Sequence, residues 1–469
     1  MKARLRFSSV PLPFALLILA GCALGPDYQR PAVPAPAFKE AGDWKPAEPA
    51  EQLPRGKWWE AYGDPVLNGL QDKLESSSNT LLIADAQYQQ VLDAVSVAYS
   101  ALYPAVNVTG SGDRSRSAAK SGTPAVVQNS FGAGLAASWE LDLWGTVRRG
   151  LEAGRATAAA SSANLESVRL SLHATLAQTY FSLRAADSQL KLYDRTVADF
   201  TRSLQMTKNR YAAGVDTRGD VATAQAQLKT AEAQAIDLRL TRVQLEHAIA
   251  VLLGEPPASF SLAPADLTTV PPAIPALLPS QQLERRPDIA VAERQLAAAS
   301  AGIGIAKGGY FPVISLTGSA GYQGSQWNHL FSAPNQVWSV GGSVLAPLFN
   351  AGKTRAQVAA ARSAYDESLA SYRQTVLTAF QEVEDNLAAA NLLAREAAVQ
   401  DEAVAAARQS TTILLNQYKA GTVSYLDVVT AQSAQLSAER TAVQLLGRRL
   451  NASVLLLKAA GGDWRGKTP

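Results

Sequence analysis

Cysteine is almost missing from this 469-residue chain: Cys22 is the only one. A disulfide framework, a thiolate metal cluster and Cys-x-x-Cys redox chemistry are thereby excluded. Histidine is nearly as scarce, and His173, His247 and His329 stand far apart with no metal-ligand spacing. The first two fall on helical patterns, where packing or surface roles are the ordinary ones. Gly (32) and Pro (24) sit near background, which excludes collagen-like and low-complexity chains. Beyond the first twenty residues no run of about 18 apolar residues occurs, so no spanning helix is expected. Excess charge of one sign is also lacking. The chain has 43 Lys and Arg against 40 Asp and Glu, and Lys2, Arg4 and Arg6 lie in a segment that reads as removed. The balance left is zero, so nucleic acid is not an expected partner. Catalytic constellations are absent too. Gly302 to Gly309 is glycine-rich but ends a helix instead of following a strand, a poor phosphate loop. Glu382, Glu384 and Asp385 read as a solvated helix face. Neither an enzyme nor a metal site is expected.

What is present begins at the N-terminus. Met1 to Arg6 form a positive stretch and Phe7 to Ala20 an apolar one, broken by Pro11 and Pro13, which reads as a secretory signal over 1–21. Leu19-Ala20-Gly21-Cys22 resembles the bacterial lipobox, in which the cysteine becomes the lipidated first residue. The covalent lipid on Cys22 is the only prosthetic group expected. Ala23 follows where an Asp retains many bacterial lipoproteins at the inner membrane, so the resemblance favours the outer membrane. Residues 23–57 are rich in Pro and Ala and read as an extended leader.

The body repeats itself. RYAAGVDTRGDVATAQAQL from Arg210 and QYKAGTVSYLDVVTAQSAQL from Gln417 match at eight positions with an offset of 207, among them Tyr211/Tyr418, Gly214/Gly421 and Asp220/Asp427. Leu102-Tyr103-Pro104 pairs with Tyr310-Phe311-Pro312, and Leu253-Gly254 with Ala460-Gly461. The expected division is a lipidated leader with a first helix (22–94), a first repeat (95–254), a linker with a helix (255–302), a second repeat (303–461) and a tail (462–469).

Within each repeat the period of the apolar residues changes. From Phe131 to Leu143 apolar and small or polar residues alternate strictly, as they do from Ile314 to Tyr322 and from Trp338 to Ala346. These are strands with one greasy face, expected over about 104–143 and 312–349. Val106 and Val108 begin a weaker partner, followed by a polar loop with Asp113, Arg114 and Arg116. The apolar positions Leu165, Val168, Leu172, Leu176, Thr179, Leu183 and Leu190, and Val358, Tyr365, Leu369, Tyr372, Val376, Phe380, Val383 and Leu387, follow coiled-coil spacing instead. No proline interrupts Val147 to Tyr211 or Lys353 to Tyr418, which allows helices of roughly 90–100 Å. Gly214 and Gly421 fit left-handed helix ends, and Asp220 and Asp427 fit the start of a returning helix.

A lipid-facing strand tolerates no open edge, so membrane strands close into a barrel. Four strands are too few, since the smallest known barrels have eight. Several chains must therefore pool their strands; two copies give eight and three give twelve, and periodicity does not choose. The fold class expected is mainly α with a small β part, long coiled-coil helices continuing a shared barrel into a tube.

The sequence resembles the TolC-like outer-membrane efflux channels, in particular their lipoprotein (NodT-type) branch. The resemblance covers essentially the whole chain. It rests on Gly25-Pro26-Asp27-Tyr28 and Arg30-Pro31 after the lipobox, on KWWEAYGDPVLNGL (Lys57 to Leu70), and on RRPDIAVAERQLAAASAGIGIAKGGYFPVISLTG (Arg285 to Gly318). It implies a homotrimer in the Gram-negative outer membrane with a twelve-stranded barrel and a periplasmic helical tunnel. An equatorial belt would be built from the terminal segments and the linker. The partners implied are a periplasmic adaptor and an inner-membrane pump of the proton-driven RND type; the cargo implied is small molecules, with type I protein secretion the runner-up. A structural coiled-coil lipoprotein would explain the heptads but not the strand pairs.

The resemblance also carries a gate. The family's turn pattern Tyr-x-x-Gly-x-Arg-x-x-x-Asp-x-x-Asp is matched by Tyr418, Gly421 and Asp427, whereas Val423 replaces the Arg and Thr430 the second Asp. Asp220, Arg218, Asp216 and Tyr211 of the first repeat are candidates for substitute ties, with plain helix capping the competing role of both Asp220 and Asp427. Three copies of Asp427 near the axis would favour cations. Gly214, Val215, Gly421 and Thr422 are the turns expected to receive adaptor hairpins.

Overall fold

The structure is a computed structural model that describes residues 23–31, 56–119, 124–272 and 286–462. The signal segment, Cys22, most of the Pro-rich leader, Arg285 and the tail after Gly462 lie outside the described residues. Two compact units are present. One comprises Met1–Ala32, Gln87–Ser162 and Val291–Arg373; the other comprises Val33–Ala86, Ala163–Ala290 and Gln374–Pro469.

The first unit contains a four-stranded antiparallel sheet in sequence order: β1 (Ala105–Arg116), β2 (Val127–Glu140), β3 (Val313–Gly324) and β4 (Gln336–Leu345). β1 and β2 come from one repeat and β3 and β4 from the other, with β2 paired to β3 across the duplication. Two boundaries differ from the sequence reading. Asp113, Arg114 and Arg116 belong to β1, not to a loop, because the ladder with β2 continues to Arg116 opposite Val127. β2 stops at Glu140 although the alternation runs on, because Asp142 turns to accept the Val147 and Arg148 amides, each at 2.9 Å, at the start of the next helix.

Seven α-helices are present among the described residues: α1 (Pro65–Ser77), α2 (Asn79–Ser100), α3 (Thr146–Ala212), α4 (Arg218–Leu252), α5 (Pro287–Gly308), α6 (Lys353–Ala420) and α7 (Tyr425–Ala459). α3 and α6 run for 67 and 68 residues, about 100 Å each at the helical rise. Their threonines do not break them, since hydroxyls such as Thr175 Oγ1 fold back on the carbonyl four residues earlier, here Ser171 at 2.8 Å.

The second unit is built on the motif Lys57 to Leu70. Trp58, Trp59, Tyr62, Leu67 and Leu70 are buried with Leu74 against Leu176, Tyr180, Phe181 and Leu183 of α3 and Leu450, Val454 and Leu457 of α7. His173 serves this packing. Its ring stacks on Trp59 at 4.3 Å, and its nitrogens meet Gln71 and, at 3.0 Å, Glu75. The linker after Gly254 is tied down by Asp187, whose side chain is 2% exposed. That carboxylate takes Arg242 at 2.7 Å, and Arg184 and the Ala265 amide at 3.1 Å each.

Candidate functional site

The sheet sorts its residues by face. In the observed register Val106 and Val108 share a face with Phe131, Ala133, Leu135, Ala137 and Trp139 of β2. Leu316, Ala320 and Tyr322 of β3, and Trp338, Val340 and Val344 of β4, continue that face. The opposite face carries Asn107, Thr109, Ser111, Ser130, Ser138, Ser315, Thr317, Ser319, Ser339 and Ser343. Among the described residues nothing covers the greasy face: Val108 is 85% exposed, Val340 81% and Trp338 77%. A soluble protein does not leave such a surface bare.

Both ends of this face are aromatic, the arrangement of membrane-interface girdles. Phe131 meets Trp327 and Tyr322 meets Phe331 near the hairpin loops, at 5.9 and 5.4 Å between ring centroids. At the other end Trp139 donates its indole N–H to the Leu102 carbonyl at 3.1 Å, and Tyr99 and Tyr103 share a hydrogen bond. Among the described residues the outer edges of β1 and β4 pair with nothing, and those two strands run antiparallel to each other.

The leader approaches the sheet end through glycine. Leu24 donates its N–H to the Trp144 carbonyl at 3.1 Å, and Arg149 grips the Leu24 carbonyl at 3.0 Å and Asp27 at 2.7 Å. A Cβ on Gly304 of α5 would stand 2.4 Å from the Leu24 oxygen, so the motif Gly302-Ile303-Gly304 is a backbone contact. Tyr28 donates to Glu293 of α5 at 2.6 Å.

In the second unit the two returning hairpins share one tip. After α3, Gly214 at φ +77 closes the helix, with Val215 N–H on the Arg210 carbonyl at 2.9 Å. After α6, Gly421 at φ +79 does the same, with Thr422 N–H on the Gln417 carbonyl at 3.0 Å. Asp220 then accepts the Thr217 N–H at 2.9 Å and its hydroxyl at 2.7 Å. Asp427 treats Ser424 the same way, at 3.0 and 2.7 Å. Both acids thus hold helix starts.

The other expected gate residues separate. Tyr211 (47% exposed) and Arg218 face solvent, as do Val215 and Thr422 on the turns. Tyr418 is 1% exposed, packed with Phe200, Leu204, Tyr425 and Val428. Its hydroxyl donates to Asp216, and Arg210 pairs with both Asp216 oxygens at 3.0 and 3.1 Å. The Arg210 guanidinium also lies 4.5 Å from the Tyr418 ring centre and donates to the Tyr418 carbonyl at 3.3 Å. Arg210, Asp216 and Tyr418 therefore latch the two hairpins together inside one chain. Burial first, then the Asp216 hydrogen bond, pushes the Tyr418 phenol up to about 12. Burial first, then the nearby Tyr418 and Asp220, raises Tyr425 in the same way. Arg210 escaped the sequence reading. The available signal was the break in the repeat at this point, Asp216 standing against Val423 and Arg210 against Gln417.

A second tie involves the motif Arg286-Pro287-Asp288. Buried Arg286 forks onto Asp288 at 2.7 and 3.1 Å, reaches Glu382 of α6 at 2.7 Å and the Ala459 carbonyl of α7 at 3.3 Å. Glu382 is therefore an ion-pair partner, although 44% of its side chain still meets solvent.

An amphipathic sheet whose greasy face and two outer edges are unmatched among the described residues, in a chain that also has two helices of about 100 Å, defines a subunit of an outer-membrane channel. The chain belongs to the outer membrane efflux protein family, whose sequence profile matches residues 70–255 and 278–462. It is 33% identical over 481 residues to the solvent efflux pump outer membrane protein SrpC of Pseudomonas putida, covering 98% of this chain and 99% of that protein. It is 32% identical over 420 residues to the pyoverdine export outer membrane protein OpmQ of Pseudomonas aeruginosa, covering 87% of this chain and 88% of that one. Among solved structures, the outer-membrane channel OprN superposes with a TM-score of 0.85 at 30% identity, covering 94% of this chain and all of that chain. The protein is an outer-membrane efflux channel with its helices in the periplasm.

Proposed function

We propose that three copies pool their sheets into a twelve-stranded barrel and serve as the exit duct of a tripartite pump for small molecules. The observation that carries this reading is the pair of free sheet edges. β1 and β4 are antiparallel, so β4 of one copy continues into β1 of the next with the alternation kept, and closure leaves no edge in lipid. The serine-rich face then lines water and the valine and tryptophan face meets lipid.

A periplasmic adaptor and an inner-membrane pump of the RND type complete the assembly. The exposed turns at Gly214-Val215 and Gly421-Thr422 are the surfaces offered to the adaptor. Asp427 rings the tip, with the Arg210–Asp216–Tyr418 latch behind it. The role is conduction without catalysis or cofactor. A lipid on Cys22 anchors the leader, supported by the packing of the following residues Leu24 and Asp27 at the sheet end. Small organic cargo is supported by the kinship with solvent and pyoverdine exporters.

The test uses the mature protein purified from outer membranes, its intact mass carrying the lipid. Insertion into planar bilayers should give discrete conductance steps. Paired cysteines scanned along the outer edges of β1 and β4 should cross-link to trimers, and deletion should sensitise cells to small toxic solutes. A monomer that conducts nothing would overturn the proposal.

A further inference from the structure

The lipid-facing side of the sheet is uncharged except at one end. Of the residues that the register places on that face, only Arg114 and Arg116 carry charge. Asp113 and Glu140, the only acids in the four strands, point to the opposite face. The two arginines stand two residues apart on the same side of β1 and both are exposed. Two like charges so placed repel, and their neighbours on β2, Asn129 and Val127, offer no countercharge.

Depth fixes what they meet. From Trp139, at the helix end of the apolar face, to Asn129, the partner of Arg114, is ten residues of β2. That is about 33 Å along the strand. At a tilt of about 40° it is about 25 Å across the bilayer, the height of a barrel's apolar band. Just below the arginines the band ends in aromatics. The Phe131 ring lies over Gly112, 3.5 Å from where a Cβ would stand, and touches Trp327. The guanidiniums thus emerge over an aromatic floor at the hairpin end, away from the periplasmic helices, at the level of the outer-leaflet headgroups.

We propose that Arg114 and Arg116 form a docking surface for the phosphate groups of the outer-leaflet glycolipid, whose acyl chains lie against Val108, Leu135 and Phe131. Arginine suits a phosphate because its planar fork donates two hydrogen bonds at once, and one phosphate between the two side chains relieves their repulsion. Asp113, turned inward, leaves the outward charge uncancelled.

The surface rests on the proposed barrel, which supplies its lipid exposure, and the experiment separates the two. The full-length channel in mild detergent is titrated with diphosphoryl lipid A, with the same lipid dephosphorylated, and with inorganic phosphate, and bound lipid is counted by native mass spectrometry. The double variant Arg114→Gln, Arg116→Gln should bind diphosphoryl lipid A about thirtyfold more weakly. The double variant Arg114→Lys, Arg116→Lys, which keeps the charge and loses the fork, should fall between the parent and the glutamine variant. Dephosphorylated lipid should bind the parent as weakly as the glutamine variant binds the phosphorylated one, and inorganic phosphate should not compete at equal concentration. Equal binding of the two lipids by the parent, unchanged binding by the glutamine variant, or competition by free phosphate would each overturn the assignment. If the glutamine variant does not assemble, the two-lipid comparison on the parent decides alone. Channels that conduct normally while lipid binding is unmoved defeat this surface only; absence of conductance in the parent defeats the barrel.

Discussion

Tyr418 is held from three sides, by Asp216 on its hydroxyl, Arg210 on its ring and Thr207 at 3.3 Å. Replacing it with Phe keeps the packing and removes a hydrogen bond to a charged acceptor. About 2 kcal/mol of tip stability should go with it. The pH dependence has a definite sign. The phenol ordinarily titrates near 10 and is pushed up to about 12, so the folded tip holds the proton more tightly than the unfolded chain does. Its contribution is complete below pH about 10 and fades as pH rises toward about 12. A difference titration of phenolate absorbance, parent minus Tyr418→Phe, should therefore show a midpoint near the upper value; one at the ordinary value would mean the latch is not closed in solution. The tyrosine was legible in the repeat. Asp216 was a candidate tie, but Arg210 and the pairing of both with Tyr418 were not legible, because they lie more than two hundred residues away and local patterning carries no such pairing.

Among elements, the strands and long helices followed from period alone, since a lipid-facing strand and a coiled-coil seam leave opposite signatures. Two strand ends did not: β1 runs on through Asp113 to Arg116 because its ladder with β2 continues, and β2 stops early because a cap at Asp142 overrides the alternation. The leader's contact with α5 was equally hidden. A glycine marks a close approach only when the approaching segment is known. Gly304→Ala should push the Leu24 carbonyl off α5, since the new methyl would sit 2.4 Å from it, at a cost of about 1–3 kcal/mol. Limited proteolysis of the intact channel should then cut near residues 23–31 much faster. Gly302→Ala is the control, because a Cβ there meets nothing.

For the whole molecule, selectivity is the property that divides a ring of Asp427 from an ordinary helix start. Because Asp427 also holds Ser424, alanine would confound the two roles. Asparagine keeps the capping oxygen and deletes the charge. Asp427→Asn should lower the cation preference of the reconstituted channel, read from reversal potentials, without lowering thermal stability by more than about 0.5 kcal/mol. Unchanged reversal potentials would place Asp427 away from the axis. That several chains must share one barrel was readable from four strands and the rule against open edges. The repeat also gave the duplication, yet concealed that its halves are no longer equal at the tip, one latched by Arg210 and Asp216 and the other packed through Val423.

The hydroxyl-bearing face of the sheet has a last implication. Serines, threonines and glycines make up most of it, with Asp113 and Glu140 the only charges the strands place there, and so it presents a hydrated, mildly acidic wall. Such a wall offers hydrogen bonds that water can equally make and few other contacts. In the barrel proposed above, discrimination among solutes would then fall to components other than this sheet.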